Sequence, residues 1–230
     1  MKQLTLLITA LILTTACQRS VAQTNNAKVD KNKTPMVEMV TNMGTLKIKL
    51  YDNTPQHRDN FIKLVEQGFY DSVLFHRIIP SFMIQGGDPD SKGAPAGKML
   101  GMGGPGYTVP AEFVDNNIHV KGALAAARMG DQMNPTKASS GSQFYIVQGQ
   151  SLSDGMLDQM EGMKKFKYTP EQRALYKEKG GTPFLDRDYT VFGELVEGFD
   201  VLDKIAVVAR DRGDRPTQDV MIIKATLIKQ

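Results

Sequence analysis

Across residues 70–147 the apolar side chains come in short runs separated by Gly and Pro, a spacing that suits several short strands and long loops. Upstream the pattern is strict alternation. Val37 and Met39, then Leu46, Ile48 and Leu50 with Lys47 and Lys49 between them, flank Asn42-Met43-Gly44 and predict a hairpin with one buried face. Thr54-Pro55 next offers an N-cap followed by Pro at the first helical position. Phe61, Leu64 and Val65 then share one helical face before Gly68. Near the end, residues 191–196 read as a strand, 201–207 as a short helix and 220–228 as a closing strand. A chain this rich in strands, with few helices, favours a mainly β barrel over alternating βαβ units.

Residues 153–183 interrupt that rhythm. Thr169-Pro170-Glu171-Gln172 has the form of a capping box and Lys177-Glu178-Lys179-Gly180-Gly181 that of a helix stop, so an inserted surface helix is predicted. Its Met156, Met160 and Met163 are expected to pack on the barrel, with a client-binding face as the alternative.

Two further stretches gather groups that can do chemistry. The first is Phe75-His76-Arg77-Ile78-Ile79-Pro80-Ser81-Phe82-Met83-Ile84-Gln85-Gly86-Gly87-Asp88. With Arg77 on one strand edge and residues 82–85 on another, a cation, an aromatic ring, a thioether and an amide line one concavity. The second is Ser140-Gly141-Ser142-Gln143-Phe144-Tyr145-Ile146-Val147, where period two sets Gln143 and Tyr145 on one face. Phe184-Leu185, shortly before Tyr189, can close an apolar wall. His57, His76 and His119 have neither metal-ligand spacing nor nearby carboxylates in sequence, so no metal is expected. His76 is expected to be structural and bonded to backbone. The glycines of residues 101–106 lack the Lys-Ser/Thr of a phosphate loop and read as a loop bordering the groove.

These segments resemble the cyclophilin family of peptidyl-prolyl cis/trans isomerases. The resemblance implies a closed eight-stranded antiparallel barrel capped by two helices, here carrying the inserted surface helix. It implies action on X-Pro bonds of proline-containing polypeptides by a monomer, with no cofactor. Position by position, Arg77 matches the catalytic arginine, Phe82, Met83 and Leu185 the walls of the proline pocket, and Gln85 and Gln143 polar contacts to the peptide. Tyr145 stands where the family has a second phenylalanine, which adds a hydroxyl needing a partner. Ala127-Arg128-Met129 replaces an Ala-Asn-Ala whose backbone holds the substrate chain. Arg128 is expected there either to favour acidic residues near the proline or to crowd the groove. Phe184 replaces a tryptophan, implying weak binding of cyclosporin, and Tyr189 replaces a histidine.

The N-terminus reads as export machinery. Met1-Lys2-Gln3 is the charged end, residues 4–13 an apolar run too short to span a bilayer permanently, and Thr14-Thr15-Ala16-Cys17 a small-residue stretch, so residues 1–16 are a signal peptide. Cys17, the sole cysteine, resembles a lipidated lipobox residue and would tether a periplasmic protein to a membrane. Ser20-Val21-Ala22 offers the alternative cut, which releases a soluble periplasmic form. Residues 17–35 are nearly devoid of apolar groups and form a flexible tether to a domain at 36–230. The 28 basic and 25 acidic residues give a net charge of +3 with no cationic stripe, so nucleic acid is not an expected partner. The function expected is catalysis of X-Pro isomerisation in exported proteins. The alternative is a proline-segment binding or chaperone module of the same shape with little turnover.

Overall fold

The computed structural model describes residues 34–228. The signal peptide, Cys17 and the tether as far as residue 33 lie outside the described residues.

The first hairpin forms where the alternation placed it, as β1 (Met36–Thr41) and β2 (Gly44–Leu50), paired from Met36 opposite Lys49 to Thr41 opposite Gly44. Six more strands join them: β3 (Arg77–Ile79), β4 (Met83–Gly86), β6 (Ala123–Ala126), β8 (Phe144–Val147), β9 (Val191–Glu197) and β10 (Ile222–Ile228). Two-residue strands β5 (Thr108–Val109) and β7 (Ser139–Ser140) pair separately. The large sheet runs β10-β1-β2-β9-β6-β8-β4-β3, with antiparallel neighbours throughout.

That order corrects the expectation of a closed barrel. β10 and β3 are the two edges and do not pair, so the sheet curls but stays open along one seam. The reason is local: β3 lasts three residues and stops at Pro80, which has no N–H to extend a ladder. The irregular segment before β3 bridges the seam instead. Ser72 N–H donates to the Ile222 carbonyl, Phe75 N–H to Val220 and Ile222 N–H to Val73, each at 2.8 Å.

Helix α1 (Pro55–Glu66) packs on β9 and β10, and α4 (Phe199–Ala206) on β2, β3 and β4. Pro55 takes the first turn as expected, but the Thr54 hydroxyl makes no capping bond. The inserted stretch holds two helices rather than one, α2 (Asp154–Lys164) and α3 (Pro170–Lys179), the second opened by the Thr169–Gln172 capping box. They enclose a small core of their own in which Leu157, Tyr168 and Tyr176 pack with Ile118 and Leu152. Of the three insert methionines only Met160 joins that core, whereas Met156 and Met163 are exposed.

Strands β4, β6 and β8 carry almost unbroken apolar side chains because both of their faces are covered. Ile84, Leu124, Phe144 and Ile146 point into the main core with Phe61 and Tyr70, and Met83, Ala125, Tyr145 and Val147 point to the opposite side. The second face builds the site.

Candidate active site

In the β3–β4 hairpin Arg77 lies opposite Gln85 and Ile79 opposite Met83. The turn passes through Ser81 at φ +60°, whose N–H donates to Gln148 Oε1 at 2.6 Å. On the other flank of β4, β8 sets Tyr145 opposite Gln85 and Val147 opposite Met83, and β6 sets Ala125 opposite Tyr145. The turn Pro183–Leu185 brings Leu185 against them, with Tyr189 just beyond. A cavity of about 490 Å³ results, lined by Arg77, Phe82, Met83, Gln85, Ala127, Arg128, Tyr145, Leu185 and Tyr189.

Its floor is apolar and closed, since Met83, Tyr145 and Leu185 are buried and Phe82 is half-buried. Burial, helped by the neighbouring Tyr189 and Asp186, pushes the Tyr145 phenol well above its ordinary pKa and keeps it neutral. Arg77 stands half-buried at the edge. Its Nη1 has one long contact, 3.5 Å to Gln85 Oε1, and no carboxylate among the described residues pairs with it. A cation so placed can donate to whatever polar atom is held over the apolar floor.

Two of the expected site residues lie outside this lining. Gln143 is buried in an adjoining cavity of about 720 Å³ that shares Gln85, Gly101, Ala127 and Arg128 with the first. Its amide is already occupied. Nε2 donates to the carbonyls of Gly101 (2.9 Å) and Gly103 (2.8 Å), while Oε1 accepts from Gln85 Nε2 (3.1 Å). Gln143 therefore shapes the glycine loop that borders the groove. Gly103 admits no side chain there, because a Cβ would sit 2.1 Å from Asp88 Oδ1. Phe184 is 47% exposed and leans on Phe82 at 5.5 Å between ring centres, extending the wall outward.

Arg128 lines both cavities and is held there by its neighbours. Its Nε donates to the Asp188 carbonyl at 2.6 Å, its Nη1 binds the Met129 carbonyl and the Asp131 carboxylate, and the guanidinium lies 4.5 Å over the Tyr189 ring. The charge is met by Asp131 and the plane lies against the Tyr189 wall.

His76 lines the cavity beside Arg77 with both ring nitrogens buried, and the backbone of Leu74 is its nearest hydrogen-bonding group, at a geometry short of a full bond. Burial lowers its pKa to about 4, so it is neutral at pH 7. Sequence alone assigns nothing to the exposed Met99, Met102 and Met133 on the cavity rims. Nor does it reveal that Glu112 Oε2, His57 and Ser139 Oγ form a hydrogen-bonded line, at 2.7 and 2.9 Å, in the order of a hydrolase triad. Ser139 is 1% exposed and the adjoining space is about 10 Å³, too small for a substrate, so the line serves to lock α1 to β7.

A curled antiparallel sheet that sets an arginine beside a slot with an apolar floor points to the peptidyl-prolyl isomerase class, and the comparisons agree. The family model described as Cyclophilin type peptidyl-prolyl cis-trans isomerase/CLD matches residues 36–227. A Streptococcus pyogenes protein whose name carries the words bifunctional phosphatase/peptidyl-prolyl cis-trans isomerase is 40% identical over 194 residues, which is 82% of this chain and 37% of that protein. A Staphylococcus epidermidis protein whose name carries peptidyl-prolyl cis-trans isomerase is 38% identical over 203 residues, 86% of this chain and 93% of the other. This chain thus spans little more than a third of the first relative and nearly all of the second. Among solved structures, a Cryptosporidium parvum cyclophilin type peptidyl-prolyl cis-trans isomerase superposes with a TM-score of 0.62 at 24% identity, covering 86% of this chain and 99% of that one. The same protein in the presence of the dipeptide Ala-Pro gives 0.60. The chain belongs to the cyclophilin-type peptidyl-prolyl cis/trans isomerase family.

Proposed function

We propose that this protein accelerates X-Pro isomerisation in exported polypeptides while they fold in the cell envelope, with Arg77 as the catalytic residue. The observation that carries the reading is the Arg77 guanidinium, which no carboxylate among the described residues pairs, at the lip of the slot formed by Phe82, Met83, Tyr145 and Leu185. An X-Pro bond turns slowly because amide resonance must be lost, against a barrier of roughly 18 to 20 kcal/mol. No bond to carbon forms or breaks, so the catalyst needs only to hold the twisted form more tightly than either planar one. The slot clamps the pyrrolidine ring while the acyl side rotates. Twisting localises the lone pair on the proline nitrogen, and Arg77 donates to it. A donor worth about 3 kcal/mol in the transition state alone gives about a hundredfold. Gln85, across the ladder from Arg77, steadies that guanidinium and offers its amide to the peptide backbone. The Ala-Pro present with the Cryptosporidium relative supports a proline occupant.

The leader-like sequence supports export, and its Cys17 supports a lipid anchor on the periplasmic side. Mass spectrometry of the mature chain tests this: a diacylglyceryl group on Cys17 supports the anchor, whereas a start at Gln23 replaces it with a soluble form. For the activity, the test is refolding of a denatured exported protein whose slow phase is limited by proline. The parent is expected to shorten that phase and Arg77→Ala to lose most of the effect. Tight binding of the chain without acceleration by the parent would support the binding module instead.

A further inference from the structure

The two helices of the insert approach the proline slot through a buried chain of polar groups. Asp186 is 3% exposed and follows Leu185, a wall residue of the slot. Its Oδ1 accepts from the backbone N–H of His119 (2.9 Å) and lies 2.7 Å from His119 Nδ1, and its Oδ2 accepts from Tyr168 Oη and Tyr176 Oη, both at 2.6 Å. Tyr176 belongs to α3 and Tyr168 to the loop just before it. Neither tyrosine lines the slot. On its far side His119 Nε2 lies 2.9 Å from Tyr145 Oη, the two rings stacked at 6.0 Å. Lys164, the last residue of α2, adds a bond to the Asp186 carbonyl (3.0 Å) and an ion pair to Asp188, beside the bond from Arg128 to the Asp188 carbonyl.

The chemistry fixes the direction of each bond. A carboxylate only accepts, and this one has four donors aimed at it, so a neutral His119 imidazole carries its proton on Nδ1 and presents a lone pair at Nε2. The Tyr145 hydroxyl must then be the donor to His119. Its hydrogen points away from the slot, and the ring offers the proline an apolar face.

We infer that the insert is part of the proline site: Tyr168 and Tyr176 hold Asp186, Asp186 sets the tautomer of His119, and His119 positions the ring of Tyr145. This makes His119, Asp186, Tyr168 and Tyr176 positioning residues for the site proposed above, on which the inference rests. It also accounts for a hydroxyl at Tyr145, since only a phenol can be gripped from behind in this way. A structural insert that merely decorates the surface needs no connection of this kind.

A thermodynamic cycle on the full chain tests it. Tyr176→Phe removes one hydroxyl outside the slot. It is expected to raise KM for a proline peptide about fivefold, the size of coupling usual for groups in one buried network, with kcat changed less. In the Tyr145→Phe background the same substitution is expected to have no effect on KM within about 1.5-fold, because the relay has lost its last member. Equal effects in both backgrounds would overturn the inference. A second reading needs no folded variant: the ¹⁵N shifts of His119 in the parent are expected to show the Nδ1–H tautomer, and an Nε2–H tautomer would overturn the relay. Should the parent bind proline peptides without turning them over, the cycle is read in peptide affinity. The isomerase reading then fails while the relay still stands or falls on its own result.

Discussion

Arg128 and His76 both border the cavity, and each carries a consequence that can be measured. Because the Arg128 charge is met by Asp131 and its plane by Tyr189, peptides with Glu or Ala before the proline should differ in kcat/KM by no more than about twofold. A strong preference for Glu that disappears in Arg128→Ala would show the guanidinium to be free in solution. For His76, burial sets the folded pKa at about 4 against an ordinary 6.5. Between those values the unfolded chain binds a proton that the folded chain refuses, so this residue makes stability fall as pH drops through that window. The loss is about 3 kcal/mol at most and is complete near pH 4. His76→Gln should remove that share of the difference in unfolding free energy between pH 7 and pH 4.5. An identical difference in parent and variant would contradict the buried setting of the ring.

At the scale of elements, the site depends on how closely β4 approaches the chain that leads into β8. Gly87 sits at φ +93°, and a Cβ there would fall 2.2 Å from the Ser142 carbonyl oxygen. Neither backbone can yield without parting Gln85 from Gln143, so Gly87→Ala is expected to lower stability by about 3 kcal/mol or more. Thermal or denaturant unfolding checks it, and a loss under about 1 kcal/mol would mean that the approach is looser than described.

Elements also mark where the sequence could be read and where it could not. The strand bearing Met83 and Gln85 and that bearing Tyr145 are legible because period two and one contiguous motif place their side chains together. The slot walls Arg77, Phe82, Met83, Tyr145 and Leu185 meet in the structure, whereas the bonds from Gln143 to the glycine loop are not legible in the sequence because that loop lies 40 residues or more away. α2 hides for a different reason. Gly155 and Gly162 each weaken a helix by about 1 kcal/mol, so the local signal is poor. The helix persists because Arg173 of α3 reaches Asp154, Asp158 and Glu161 along it, and no local pattern announces that partnership. The pairing of His119 with Asp186 spans 67 residues and is invisible for the same reason.

For the whole molecule, the short strands predict a mainly β barrel, whereas the sheet curls without closing, because β3 stops early at Pro80 and residues outside any strand make the bonds across the seam. That curl presents one face of β4, β6 and β8 to the slot and leaves Arg77 at its edge. The central claim is that this single guanidinium stabilises the twisted X-Pro bond. Exchange NMR on a short proline peptide with a small fraction of the full-chain protein reads it most directly, as the cis-to-trans rate at equilibrium. The parent is expected to raise that rate far above the peptide's own. Arg77→Ala should reduce the enhancement about a hundredfold, while peptide affinity changes by less than about threefold. Full enhancement retained in Arg77→Ala, or a loss matched by an equal loss of affinity, would contradict the account.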